Sequence, residues 1–180
     1  MSNIYKNITI KSIELTCGDN SRIYYDNKKI AKDDHILKLY GLGNRYYCLA
    51  QKTKIKITIK LSNGSLKVLT YDFESNFITN FRSGGILVDG FIDQLGTELE
   101  QICWLIHDSN YTICEKLNNN HPLTKNDADN LLYNMLLFAE LNKFKDKIIF
   151  ESVQLFGYSA YYKSDDLTNS NKKLFTYNIS

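Results

Sequence analysis

The chain has a single proline in 180 residues, four cysteines without a C-x-x-C pair, no long apolar run, and almost no excess of either charge. Each shortage excludes something. Cys17, Cys48, Cys103 and Cys114 follow no signal-peptide pattern, so neither a zinc site nor the disulfide framework of a small secreted domain is indicated, and free buried thiols are expected. Spanning a bilayer takes about 18 consecutive apolar residues. No such run is present, so a soluble protein without a transmembrane segment is expected. With 22 basic and 20 acidic residues the net charge is +2, too little for a general attraction to nucleic acid. The one local basic pattern, Lys52, Lys54, Lys56 and Lys60, is expected on the solvent face of a strand, guarding a sheet edge rather than gripping a polyanion. The scarcity of proline beside abundant Asn, Lys, Ile and Tyr has the look of an AT-rich coding sequence, which concerns source and not function.

What is there predicts a packed interior. The apolar fraction is 43%, and 13 tyrosines and 9 phenylalanines lie far above what a disordered chain carries. The length suits one domain with a sizeable core. Residues 1–95 read as strands. Ile8, Ile10, Ile13 and Leu15 alternate with polar neighbours up to the turn cluster Gly18-Asp19-Asn20. Ile55, Ile57, Ile59 and Leu61 hold a period of two, and Asn63-Gly64 turns the chain back into Leu66, Val68, Leu69 and Tyr71. Gly41-Leu42-Gly43-Asn44 marks a further turn, leading into a strand from Arg45 to Ala50.

From Thr97 the period becomes helical through Leu99, Ile102, Cys103, Ile106, Tyr111, Ile113, Cys114 and Leu117, ending at Asn118-Asn119-Asn120. Thr97 and Glu100 form a capping box that fixes its start. Thr124 and Asp127 open a second helix running to about Asn142. A third spans roughly Lys145 to Tyr162, with Gly157 inside it as a sign that another element comes close. Strands first and helices second predict an α+β fold: an N-terminal antiparallel sheet of hairpins, then about three packed helices in one domain over 1–163. The polar stretch 164–180 reads as a tail, frayed or leaning on its own sheet or a neighbouring subunit.

The chemistry-bearing residues sit on the helices. Tyr111 lies four residues after His107 and shares its face. Asp129 shares a face with Leu132 and Met135, so it points inward and can meet His107 across two antiparallel helices. A buried carboxylate would fix the imidazole tautomer, leaving the other ring nitrogen to deprotonate water or a hydroxyl. Asp108 projects about 100° away and would face a different partner, such as a cation held in part by loop carbonyls from Gly84-Gly85 or Asp89-Gly90. His121 beside Pro122 reads as a solvated loop residue. His35, after Asp33-Asp34, would ligate a metal only with ligands the pattern does not show, and Trp104 reads as core or interface filling.

Four segments in order carry a resemblance: Asn76-Phe77-Ile78-Thr79-Asn80-Phe81-Arg82-Ser83, Ile106-His107-Asp108-Ser109-Asn110-Tyr111, Asp127-Ala128-Asp129, and Val153-Gln154-Leu155-Phe156-Gly157-Tyr158. Together they resemble a family of small, functionally unassigned proteins of tailed phages and prophages, with the pieces G-F-x-T-D-x-A-S, H-D-x-L-Y, A-D and V-x-x-x-G. The chain departs from that pattern at Asn76, where the family has glycine, and at Asn80, where it has aspartate. The resemblance implies a virion or tail-associated structural protein, located in the virion or host cytoplasm and docked to other virion proteins or to copies of itself, whose His-Asp site is degenerate. A more distant resemblance, through Cys103-Trp104-Leu105-Ile106-His107-Asp108, Tyr111 and Ala128-Asp129, is to the phospholipases A2, especially the compact viral type. It implies His107 as base, Asp129 as its orienting partner, Tyr111 in support and Asp108 as a calcium ligand. Three functions follow as expectations: a structural virion component, a hydrolase of ester or amide bonds, and a non-catalytic module gripping a protein partner through the lysine strand or the tail.

Overall fold

The computed structural model describes residues 5–25, 32–43, 46–80, 96–112, 123–139, 143–157, 170–171 and 173–180. The elements are β1 (Thr9–Cys17), β2 (Asn20–Tyr24), β3 (Leu39–Gly43), β4 (Tyr46–Leu49), β5 (Thr53–Lys60), β6 (Leu66–Phe73), β7 (Ile78–Thr79), α1 (Glu98–Thr112), α2 (Lys125–Phe138), α3 (Lys143–Phe156) and β8 (Phe175–Ile179). This is the α+β order read from the pattern. Gly84-Gly85, Asp89-Gly90, Cys114 and His121 lie outside the described residues, as do 113–122 and 158–162, where the first and third helices were expected to continue.

Five strands form one antiparallel sheet in the order β2-β1-β5-β6-β8, and three form a second in the order β3-β4-β7. The β5–β6 hairpin closes as its alternation requires, with Gly64 at φ 86° and Lys60 paired to Leu66. The β1–β2 turn likewise has Gly18 at φ 56° between paired Cys17 and Asn20. Gly41 and Leu42 belong to β3 itself, because Gly43 already pairs with Tyr46.

One expectation needs correction. Strand β5 is the middle of its sheet, so its lysines guard no edge. They pair across strands instead: Lys52 with Glu74 at 2.7 Å, Lys54 with Asp72 at 3.1 Å and Lys56 with Glu14 at 3.5 Å. That leaves the stripe largely neutralised as a docking surface for anions. Of the alternatives for the C-terminal segment, the structure has it leaning on its own sheet. Strand β8 extends the sheet beside β6, with Phe73 opposite Phe175 and Leu69 opposite Ile179. Phe175 is buried with its ring 5.7 Å from Phe73 and 5.5 Å from Phe77, and Tyr177 lies 4.7 Å from Tyr71. These rings hold the segment in place together with buried Asn171, which accepts from Ile78 N–H at 3.0 Å and donates to Ile78 O at 2.7 Å.

The main apolar cluster of the described residues joins sheet and helices: Ile13, Leu15, Ile55, Ile57, Leu69 and Phe73 from the strands share it with Ile102, Leu105, Leu131, Met135 and Val153 from the helices. Each such side chain contributes about 1.5–3 kcal/mol on burial. Helix α1 starts where the capping box places it, since Thr97 N–H donates to Glu100 Oε2 at 2.6 Å and Glu100 N–H to Thr97 Oγ1 at 3.2 Å. Helix α2 has the same device in Thr124 and Asp127, and its C-cap is Ala139, short of the expected Asn142. Thr97→Ala is expected to lower stability by about 1 kcal/mol, read as a shift of the urea midpoint at unchanged slope.

Candidate functional site

The first turn of α1 is anchored by a buried polar cluster. The Glu98 carboxylate accepts from the Tyr24 hydroxyl, from Leu37 N–H at 2.7 Å and from Arg22 at 3.1 Å. The backbone N–H of Glu98 donates to His35 Nε2 at 3.1 Å, so His35 caps a helix rather than facing a metal. All of this fixes the axial position of α1. Two to four turns further along, that helix presents His107, Asp108 and Tyr111.

His107 and Asp129 meet. His107 Nε2 lies 2.9 Å from Asp129 Oδ1, and both side chains are fully buried. A carboxylate can only accept, so Nε2 carries the proton and the lone pair of the neutral ring is on Nδ1. The Tyr111 hydroxyl donates to the same Oδ1 at 2.6 Å, its ring 4.2 Å from the imidazole. Trp104 meets the imidazole edge-on at 5.9 Å and is itself buried core. The other oxygen, Oδ2, accepts from Lys125 Nζ at 2.6 Å and from Gln154 Nε2 at 2.7 Å. Burial on its own raises the Asp129 carboxyl, but His107, Lys125 and Tyr111 outweigh it and hold the group below its ordinary 3.8. Asp129 is thus an ionised carboxylate bonded from three helices.

One atom of the site stands out. His107 Nδ1 is buried and has no hydrogen-bond partner among the described residues. Leaving such an acceptor unsatisfied costs about 1–3 kcal/mol. A general base must keep one lone pair uncommitted, and Nδ1 is the ring atom that meets this condition.

Asp108 turns away from the dyad, as its helical phase requires. Its Oδ2 accepts from the Thr79 hydroxyl and from Asn80 N–H at 3.3 Å, so it ties α1 to the end of β7. Among the described residues no group of three or more His, Cys, Asp or Glu side chains could hold a metal ion.

Three of the four segments quoted above contribute side chains to the dyad network, and the first reaches α1 through Asp108. Asn76 adopts φ 70°, a left-handed conformation that glycine takes at least cost and asparagine tolerates best among the rest, at the position where the resembled pattern has glycine. Thr79 bonds Asp108, and His107 and Tyr111 bond Asp129. Gly157 ends α3 directly against Tyr111, where a Cβ would overlap the phenol oxygen and the carbonyl of Val153. The close approach expected at Gly157 is therefore to the dyad's own tyrosine. Gly157→Ala is expected to cost about 1–3 kcal/mol by forcing Tyr111 or α3 to shift, measured by denaturant unfolding.

Lys125 and Gln154 were not among the expected site residues. The signal for Lys125 was the i,i+4 spacing to Asp129. Gln154 reaches Asp129 from another helix, and no local spacing announces it. Of the cysteines, Cys17, Cys48 and Cys103 are free and buried, and burial pushes the Cys103 thiol well up, away from nucleophilic use.

Comparison with protein families, curated proteins and solved structures returned no match. What fold and site define is an α+β protein with a buried His-Asp dyad where three helices meet. Among the described residues no helix is long and apolar enough to cross a membrane.

Proposed function

We propose that this chain is a hydrolase of ester or amide bonds, with His107 Nδ1 as general base and Asp129 as the carboxylate that orients it. The observation that carries the reading is the division of the imidazole: Nε2 bonded to Asp129 at 2.9 Å, Nδ1 buried without a partner. In such a dyad Nδ1 takes a proton from water as the water attacks the substrate carbonyl, and the resulting imidazolium is stabilised by Asp129. Tyr111 holds the carboxylate at the oxygen that faces the ring. The resemblance to tailed-phage proteins makes the natural setting a virion or tail component, and the resemblance to phospholipases A2 makes an acyl ester of the cell envelope the first substrate to try.

The test is release of fatty acid from phospholipid vesicles, and of soluble fragments from peptidoglycan, by the wild-type chain and by His107→Gln, each with added calcium and with chelator. Hydrolysis by the wild type that the variant lacks supports the reading, and equal release from both ends it.

A second reading is favoured by a different observation. The dyad has no exposed surface, and Asp129 is saturated by four donors from three helices, one of them a cation. A carboxylate so held is also a clamp, and a virion protein that keeps the family's His-Asp site only to lock its helices would look the same. Such a chain hydrolyses nothing, and it loses stability when any member of the network is removed.

A further inference from the structure

The helix C-terminus beside the dyad lacks a cation of its own. Helix α3 has no basic residue in its last turn, so its free carbonyls, the negative end of the helix dipole, need a partner from elsewhere. Lys125 supplies it from α2. Its buried ammonium contacts Val153 O at 3.0 Å, Gln154 O at 3.5 Å and Asp129 Oδ2 at 2.6 Å. Its charge also sits 6.0 Å from the centre of the Tyr111 ring. One side chain therefore joins the end of α3, the dyad carboxylate and the tyrosine that shares that carboxylate.

The division of the carboxylate gives this bridge a consequence. Oδ1 serves His107 and Tyr111, while Oδ2 serves Lys125 and Gln154, so rotation of the carboxylate about its bond to Cβ is opposed from both sides. Gln154 alone would be a weaker restraint, because a neutral amide supplies a hydrogen bond to the carboxylate without the counter-charge that the ammonium adds. We propose that Lys125 is a positioning residue of the dyad, the cation through which the end of α3 holds the Asp129 carboxylate, and with it the His107 ring, in a single orientation. This rests on the hydrolase reading for its catalytic consequence but not for its structural one. Displacement of the α3 terminus from α2 would then loosen the base without touching it.

The experiment uses the full-length chain labelled with 15N at histidine and lysine. In the wild type, His107 is expected to show one tautomer protonated at Nε2, and the Lys125 ammonium to exchange slowly with water. Lys125→Met is expected to broaden or mix the tautomer signals and to lower kcat by about tenfold to a hundredfold with little change in KM. Gln154→Met, which removes an Oδ2 donor but no charge, is expected to give a smaller loss and keep the tautomer. A folded Lys125→Met that retains both the single tautomer and the wild-type kcat overturns the proposal. Should that variant not fold, fast solvent exchange of the wild-type Lys125 ammonium overturns it just as well, since a positioning cation must be held. If no hydrolysis is found in the wild type, the catalytic reading fails, and the tautomer and exchange signals still decide the role of Lys125.

Discussion

Asp129→Asn is expected to destabilise the fold by about 3–5 kcal/mol, the cost of leaving one partner of a buried ion pair without the other. The amide can still accept from His107 and Tyr111 through its oxygen. Its –NH2 group then faces Lys125 and Gln154, so donors meet donors where a carboxylate oxygen had received both at 2.6 and 2.7 Å. Turning the amide over only transfers the conflict to the His107 side. The ammonium, with its side chain 8% exposed, keeps its carbonyl contacts but loses its counter-charge. Against a typical domain stability of about 5–15 kcal/mol, this is about a fifth of the total or more. Urea unfolding monitored through Trp104 measures it, and a loss under about 1 kcal/mol would show that the network is far looser than its distances imply.

The same carboxylate gives the stability an acid limb with a definite sign. Its folded-state value lies below the ordinary 3.8, so the unfolded chain binds the proton more readily than the folded one. The contribution is therefore complete above the ordinary value and disappears as pH falls through the depressed folded value. Wild type minus Asp129→Asn stability should accordingly be flat above about pH 5 and shrink below about pH 4.

Much of this arrangement was legible where the signals are local. The β5–β6 hairpin follows from alternation and Gly64, the starts of α1 and α2 from their capping boxes, and the shared face of His107 and Tyr111 from a spacing of four. The inward direction of Asp129 followed from its apolar neighbours on α2. What stayed hidden depends on contacts distant in sequence. The central place of β5 is set by which strands pair, and the lysine pattern on its solvent face is the same in the middle of a sheet as at an edge. Strand β8 was obscured because Phe175, Tyr177 and Ile179, which alternate as a strand should, follow a long run of Asn, Ser and Lys. Glu98 reads as an ordinary acidic residue of a first helical turn, yet its carboxylate is buried among donors from β2 and from the loop before β3. Local acidity and buried anchoring look alike until the sheet is folded against the helix.

His107→Gln separates catalyst from clamp because it removes the base and keeps the hydrogen bond. The glutamine amide can donate to Asp129 Oδ1 in place of Nε2–H, so the carboxylate keeps its four donors and Lys125 its counter-ion. No atom remains where Nδ1 was that could accept a proton from water. A general base contributes about 10²–10⁴-fold to the rate, so hydrolysis should fall by that factor. Stability should change by only about 1 kcal/mol, the net worth of one exchanged hydrogen bond. If the site is purely a clamp the signature differs in both arms: there is no activity to lose, and the stability change tracks how well glutamine reproduces the imidazole's packing against Trp104 and Tyr111. His107→Ala sharpens the contrast, since it removes the donor to Asp129 as well as the base. Equal rate losses in the glutamine and alanine variants, with stability lost only in alanine, would assign catalysis to the imidazole itself rather than to the integrity of the three-helix junction.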